Sequence, residues 1–168
     1  RCQLAHGPHA TVGRCRLTLC YRDGAIGGNV NEIIVGVDGS ETARMAAVAA
    51  AEMANNYNLP LHLVTSMTRN TSQQVQGGGS EVWHVDSIGV AEDLLKSLAG
   101  QLKATTPVSH AVVLSDPATA LCEEATRLDA SAIVVGNKRV QGAARVLGSI
   151  AGDVAKRAPC NVFIVHTH

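Results

Sequence analysis

From residue 31 onward, short apolar runs alternate with segments in which apolar residues recur every three or four positions. Apolar runs rich in Val and Ile are typical of strands buried on both faces of a parallel sheet. Segments rich in Ala and Leu with the longer period predict helices. Strict alternation of these elements indicates an α/β fold, a parallel sheet with helices on both faces. The predicted strands are 33–37, 61–64, 111–114, 132–135 and 161–165, and the predicted helices are 43–54, 91–102, one beginning at 117, and 149–158.

Turn and cap residues separate these elements. Residues 38–40 follow the first strand as a turn and a helix cap, and Asp116 followed by Pro117 is a typical helix start. Residues 67–87 are different, because they are polar and include three consecutive glycines. The sequence predicts a flexible loop there.

Residues 1–29 show neither the helical period nor strand alternation, and they carry four arginines against one acid. They contain no apolar core of a secretory signal, and their Cys and His spacings match no metal-binding pair. We therefore expect residues 1–29 to be a flexible or non-native extension. Residues 30–168 are expected to form the domain.

The amino-acid composition indicates which kinds of binding partner are improbable for this chain. Of the 168 residues 46% are hydrophobic, which is enough for a core, and no apolar run is long enough to span a membrane. After residue 29 the chain has ten basic and thirteen acidic residues, and aromatic residues are only 2% of the whole. These values argue against nucleic-acid and membrane partners. Five irregularly spaced cysteines do not form a disulfide framework, so we expect a reducing, cytoplasmic location.

The first candidate site is the end of the first strand, where Gly36 and Val37 are followed by Asp38. A carboxylate at the carboxyl edge of a parallel sheet can reach a ligand, and a glycine lets a planar group approach the backbone. The alternative is that Asp38 caps the first helix together with Ser40.

The second candidate site is the segment from Gly136 to Ser149, in which a glycine ends a strand and Gly148 opens a helix. The first amides of a helix have no partners within it and carry partial positive charge. A phosphate could dock on the amides of Gly148, Ser149 and Ile150, with Lys138, Arg139 and Arg145 adding charge. The alternative is an ordinary loop with Ser149 as the helix cap.

Other chemistry-bearing patterns are absent from the sequence. It has no phosphate-binding P-loop, no dinucleotide fingerprint and no nucleophile elbow. His62 and His110 alternate with apolar strand residues and are interpreted as sheet-face residues, not as ligands. We predict no catalytic residue and no metal site.

At the two candidate sites the sequence resembles the universal stress protein family, and the resemblance covers residues 31–166. It rests on IIVGVDGS at 33–40, SDPA at 115–118, AIVVGN at 132–137, LGS at 147–149 and APCNVFIV at 158–165. The resemblance implies a three-layer fold whose five parallel strands have the order 3-2-1-4-5. It also implies a homodimer in which the fifth strands, between Val162 and Val165, pair with each other.

Many members of that family bind ATP or related adenine nucleotides, with Mg²⁺ where ATP is bound. We expect no enzymatic activity beyond slow ATP hydrolysis. The resemblance assigns adenine and ribose contacts to residues at the ends of the first two strands: Gly36, Val37, Asp38 and Val64. It assigns the phosphates to the second segment, with Val135 and Arg139 counted in the same site: Gly136, Lys138, Gly148, Ser149 and Ile150.

The sequence departs from the family pattern at one point. Arg139 stands where the pattern has its second glycine, and eight residues, not nine, separate it from Gly148. Arginine could bind a phosphate or fill the site. The main hypothesis is an adenine-nucleotide-binding protein of the stress response, and the alternative is a homodimeric interaction module of the same fold that binds no nucleotide.

Overall fold

The computed structural model describes residues 32–68, 87–138 and 148–167, together with the backbone of 11–12, 15–20, 74–76 and 82–84. The described strands are β1 (Thr11–Val12), β2 (Cys15–Cys20), β3 (Ile33–Gly36), β4 (Leu61–Ser66), β5 (Gln74–Gln76), β6 (Val82–His84), β7 (Val108–Val113), β8 (Ala132–Lys138) and β9 (Asn161–Thr167). The described helices are α1 (Glu41–Tyr57), α2 (Ser87–Gln101), α3 (Pro117–Arg127) and α4 (Ser149–Arg157).

Five parallel strands form the body of the sheet in the order β9-β8-β3-β4-β7. Counted along the predicted strands, this is the order 3-2-1-4-5, so the predicted fold class is confirmed. From β3 the chain adds β4 and β7 on one side, and it then returns to add β8 and β9 on the other side. The central neighbours β3 and β8 therefore mark the point at which the strand order reverses. In open sheets of this kind ligands bind beyond the carboxyl ends of the strands at that reversal.

The sheet separates two apolar layers. Side chains at alternate positions of a strand point to opposite faces, so Ile33 and Val35 pack with α1 and α2, whereas Ile34 packs with α3 and α4. All three of these side chains are fully buried. This two-sided burial explains why the strands are continuous apolar runs, and it confirms the three-layer arrangement.

Short-range capping sets where the helices begin. The Ser40 hydroxyl accepts a hydrogen bond from the Ala43 amide at 3.1 Å and caps α1. The Asp116 carboxylate accepts the Thr119 amide at 3.1 Å and caps α3, with Pro117 at the first helical position. Both starts agree with the prediction from the sequence.

Two element boundaries were predicted wrongly. The third predicted strand begins at Val108, not at 111, because Ser109 and His110 are exposed on the edge strand β7 and interrupt the apolar run. Within residues 67–87, predicted to be a loop, β5 and β6 form an antiparallel pair and α2 begins at Ser87. The remaining residues of that segment after Thr68 lie outside the described part of the chain.

The segment before the domain contributes strands that the sequence analysis did not find. β2 pairs antiparallel with β9, and β1 pairs with β2. The edge between Val162 and Val165, predicted to be open for a second copy, is therefore covered by the chain itself. The rest of residues 1–29, including the predicted extension's His residues, lies outside the described part. No helix among the described residues is both long and apolar enough to cross a membrane.

Candidate functional site

The carboxyl ends of β3, β4 and β8 border a crevice that α1, α3 and α4 complete. Since neighbouring parallel strands end at the same edge of the sheet, the two candidate sites of the sequence come together here. The crevice has a cavity volume of about 100 Å³. Its lining is mostly apolar or backbone: Gly36, Val37, Asp38, Ser40, Thr42, Ala43, Val64, Ser66, Pro117, Leu121, Val135, Gly136 and Ile150.

Among the described residues of that lining, Asp38 is the one with an ionisable side chain. Its carboxylate oxygen Oδ1 accepts the Ser40 amide at 2.9 Å, which holds the turn between β3 and α1. Ser40, not Asp38, supplies the cap of α1. Asp38 is exposed, so its second carboxylate oxygen remains able to accept a hydrogen bond from a ligand hydroxyl.

Val37 is fixed by the neighbouring strand. Its amide donates to the Val64 carbonyl at 2.8 Å, and its carbonyl accepts the Thr65 hydroxyl at 2.7 Å. Both Val37 and Thr65 are buried. These contacts hold the floor of the crevice rigid and leave Val37 to contribute chiefly apolar contact to a ligand.

Gly136 lies on β8 against Thr42 in the first turn of α1. A Cβ placed on Gly136 would be 2.7 Å from the carbonyl oxygen of Thr42, a distance that real Cβ atoms do not show. A glycine is therefore required for the first turn of α1 to pack against this strand. Glycine at position 136 is thus needed for the packing of α1 on β8, whether or not it also contacts a ligand.

The start of α4 is held by a residue that the sequence analysis did not select. Gly148 is the N-cap residue and offers no side chain to cap the helix. Its own amide donates to the Asn137 side-chain oxygen Oδ1 at 2.9 Å, and Asn137 is buried. Of the three amides predicted to bind a phosphate, Gly148 is thus already bonded, and those of Ser149 and Ile150 follow it at the helix start.

The structure brings most of the predicted site residues together in the crevice lining. Seven belong to it: Gly36, Val37, Asp38, Val64, Val135, Gly136 and Ile150. Gly148 and Ser149 lie beside Ile150 but outside the lining, Lys138 is described only as part of β8, and Arg139 lies outside the described residues. Among the lining residues that sequence reasoning missed, Pro117 and Leu121 belong to α3, and no local pattern indicates that α3 folds over the end of β3.

A second polar cluster lies at the opposite end of the sheet. His62 is buried, with Nδ1 2.6 Å from the Ser109 hydroxyl and Nε2 3.1 Å from the Glu124 carboxylate. Arg127 hydrogen-bonds Glu124 and, with a smaller contribution from His62, lowers the pKa of that carboxyl. The partners of His62 come from the neighbouring strand β7 and from α3, which supports its interpretation as a sheet-face residue. No group of three or more metal-binding side chains occurs within the described ranges.

A doubly wound parallel sheet with helices on both faces places this chain in the class of open α/β domains. Within that class the assignment is specific: a model of the universal stress protein family matches residues 29–166, so the chain belongs to that family. Universal stress protein Rv2624c of Mycobacterium tuberculosis is 30% identical over 137 residues, which are 80% of this chain and 48% of the relative. The chain spans about half the length of the curated relatives it matches.

Solved structures agree with this assignment. A universal stress protein from Archaeoglobus fulgidus superimposes with a TM-score of 0.63 and 26% identity over 80% of this chain and 98% of that one. A universal stress protein crystallised in complex with cAMP gives a TM-score of 0.60 and 27% identity over 82% of this chain and 98% of that one.

Proposed function

We propose that the crevice binds an adenine nucleotide and that the protein is a nucleotide-dependent regulator in the stress response. The observation that carries the proposal is that Asp38 and Ile150, the second residue of α4, line one mostly apolar crevice, and that α4 begins without a side-chain cap. Such a site offers an acceptor for ribose hydroxyls and donors for a phosphate. The likeness to a universal stress protein in complex with cAMP supports the adenine nucleotide as the ligand class.

The base would lie on the apolar part of the lining, against Val64, Val135 and Leu121. The cavity of about 100 Å³ is smaller than the roughly 300–1,000 Å³ of most ligand pockets, which favours a ligand that places its base in the crevice and the rest outside. The ribose would then lie at the mouth beside Asp38. The phosphate would extend toward the amides of Ser149 and Ile150.

The described residues account for one phosphate better than for three. Gly148 gives its amide to Asn137, which leaves two adjacent amides at the start of α4 for a phosphate. The β- and γ-phosphates of ATP would depend on Lys138 and Arg139, and Mg²⁺ would be held by those phosphates, with Asp38 as the nearest acidic side chain in the lining. We therefore propose AMP or cAMP as the primary ligand and ATP with Mg²⁺ as a weaker one.

We propose binding without a dedicated catalytic step. Asp38 is the one titratable side chain of the described lining, whereas hydrolysis of a phosphate needs a positioned nucleophile, a base and charge stabilisation together. Slow ATP hydrolysis, as expected from the sequence, would arise only from water at a bound triphosphate. The cytoplasmic location stays a prediction.

The alternative function, a homodimeric module without a nucleotide, is disfavoured by one observation. The edge of β9 that a second copy would pair with is hydrogen-bonded to β2 of the same chain. A homodimer through this edge would require β2 to leave it first. We propose that homodimerisation, where it occurs, is in competition with β2.

Calorimetric titration with AMP, cAMP, ATP with Mg²⁺, and GMP tests the proposal. We expect AMP or cAMP to bind more tightly than ATP, and GMP to bind weakly. The chain has one Trp and two Tyr, so its own absorbance at 280 nm is low and a copurified nucleotide would be visible at 260 nm. Absence of heat with every adenine nucleotide, together with a protein-like spectrum, would reject nucleotide binding.

A further inference from the structure

Asn137 joins the end of β8 to the start of α4 across the site. Its side chain is 6% exposed, and its Oδ1 accepts the Gly148 amide at 2.9 Å. The orientation of the carboxamide is fixed by this contact, because a backbone N–H can only donate and therefore faces the oxygen. The amide nitrogen Nδ2 then faces Nδ1 of His166 on β9, at 3.5 Å.

The geometry points to Asn137 as the positioning residue for the phosphate end of the site, an inference that rests on the proposed nucleotide function. A Cβ placed on Gly148 would meet the Asn137 oxygen at 3.0 Å, so the two residues are packed together as well as hydrogen-bonded. The contact fixes both ends of the chain segment between β8 and α4. It also fixes the direction of the next two amides, those of Ser149 and Ile150.

The role is one of orientation, because Asn137 is not part of the crevice lining. A helix start binds a phosphate only when its amides point at the ligand, and Gly148 itself has no side chain that could set that direction. The Asn137 carboxamide instead holds the amide of Gly148, the residue immediately before the first turn of α4. The base and ribose contacts proposed above come from Asp38 and from apolar lining residues, none of which takes part in the hydrogen bond between Asn137 and Gly148.

Because Asn137 is proposed to affect the phosphate contacts and not those of the base and ribose, AMP and adenosine, which differ only in the phosphate, give a specific test. In Asn137→Ala we expect the affinity for AMP to fall about fivefold or more, the effect of one hydrogen bond, with the affinity for adenosine changed less than twofold. Amide hydrogen exchange of Gly148 should become faster in the variant. Asn137→Val introduces a β-branched residue, which strands favour, without a hydrogen-bond acceptor, and should give the same pattern if the alanine variant folds poorly.

Asn55→Ala is the matched control. Asn55 also joins two segments through its carboxamide, donating to the Lys103 carbonyl at 2.8 Å and accepting the Thr105 amide at 2.7 Å. Its loss should lower the melting temperature without changing the ratio of AMP to adenosine affinity. Equal losses for AMP and adenosine in Asn137→Ala, or unchanged AMP binding, would overturn the role of Asn137. If the wild-type protein binds neither ligand, the proposed function itself fails and the inference falls with it.

Discussion

His62 and Glu124 form a contact between β4 and α3, with Nε2 of the histidine 3.1 Å from the carboxylate. Both side chains are largely withdrawn from water, at 5% and 12% exposure. Arg127, one turn along α3, donates from Nε to the same carboxylate at 3.1 Å. The carboxylate thus has a positive partner on its own helix and a ring nitrogen on the sheet, and it fixes α3 against the sheet at the end opposite the crevice.

The first prediction concerns acid stability. The pKa of Glu124 lies below its ordinary value of 4.5 because of Arg127, so its contribution to stability is present above that value and is lost as the pH falls through the lowered one. Glu124→Gln should lower the free energy of unfolding by about 1 kcal/mol at neutral pH, since a hydrogen-bonded charge is removed. The difference from wild type should shrink below pH 4.5, as measured by urea unfolding across pH.

Glu123→Gln is the control for that experiment, because Glu123 is the adjacent residue of α3 and is exposed. It should leave the unfolding free energy nearly unchanged at neutral pH. A difference between wild type and Glu124→Gln that stays constant into acid would show that the charge of Glu124 is not what stabilises the contact.

The second prediction concerns the close approach of α1 to β8. Gly136→Ala should lower the unfolding free energy by about 1–3 kcal/mol, because the added Cβ would be 2.7 Å from the Thr42 carbonyl oxygen and the backbone of α1 must move. Thermal and urea unfolding measure the loss. Since Thr42 and Gly136 both line the crevice, nucleotide affinity should fall with it.

Gly152→Ala provides the contrast to that substitution. Gly152 is inside α4, and a Cβ placed there meets nothing within 4 Å. The change should raise stability by about 0.5–1 kcal/mol through helix propensity. If Gly136→Ala were as stable as wild type, the packing of α1 on β8 would have to be looser than the structure has it.

The third prediction concerns the ribose end of the site. Asp38→Ala should lower the affinities for AMP and adenosine together, by about tenfold or more, because both ligands carry the ribose and a hydrogen bond to a carboxylate is lost. Asp38→Asn keeps an acceptor for the Ser40 amide, so the turn is retained while the negative charge is lost. Comparing the two variants separates the effect of the turn on affinity from the effect of the charge. Asp93→Ala, an 82% exposed carboxylate on α2, is the control. Titration calorimetry that finds unchanged binding in Asp38→Ala would remove Asp38 from the site.

The fourth prediction concerns the covered edge of β9. We expect the full chain to be a monomer while β2 is in place. Replacing Thr18 and Leu19 together by proline removes two consecutive amides of β2, one of which faces β9, and should release that edge. Light scattering should then show a larger dimer fraction. A wild-type dimer that is unaffected by the prolines would show that association uses another surface.

The parts of the fold that a sequence can predict are those with a local physical cause. Ile33, Ile34 and Val35 are apolar because both faces of their strand are covered, and Ser40 and Asp116 mark helix starts because their side chains bond nearby amides. The strand order came from a family resemblance, since nothing local encodes which strands become neighbours.

The parts that were missed depend on contacts between distant segments. β2 is stabilised by pairing with β9, and the start of β7 is an exposed edge whose alternation includes Ser109 and His110. The role proposed for Asn137 likewise has no local signal in the sequence, because its partner Gly148 is eleven residues further along the chain. The sequence therefore predicts which residues belong to the candidate site, but it does not predict that Asn137 would orient the start of α4.

The pairing of Arg16 with His166 joins positions that are far apart in the chain. Arg16 leaves the ribosome long before His166 is synthesised. Pairing the two also closes a loop of nearly the whole chain, which carries an entropic cost. We therefore expect β2 to dock last, onto a parallel sheet that is already assembled. Until β2 docks, the edge of β9 in a newly made chain has unpaired backbone groups. The rate of docking then determines whether β2 or a strand of another polypeptide pairs with this edge first.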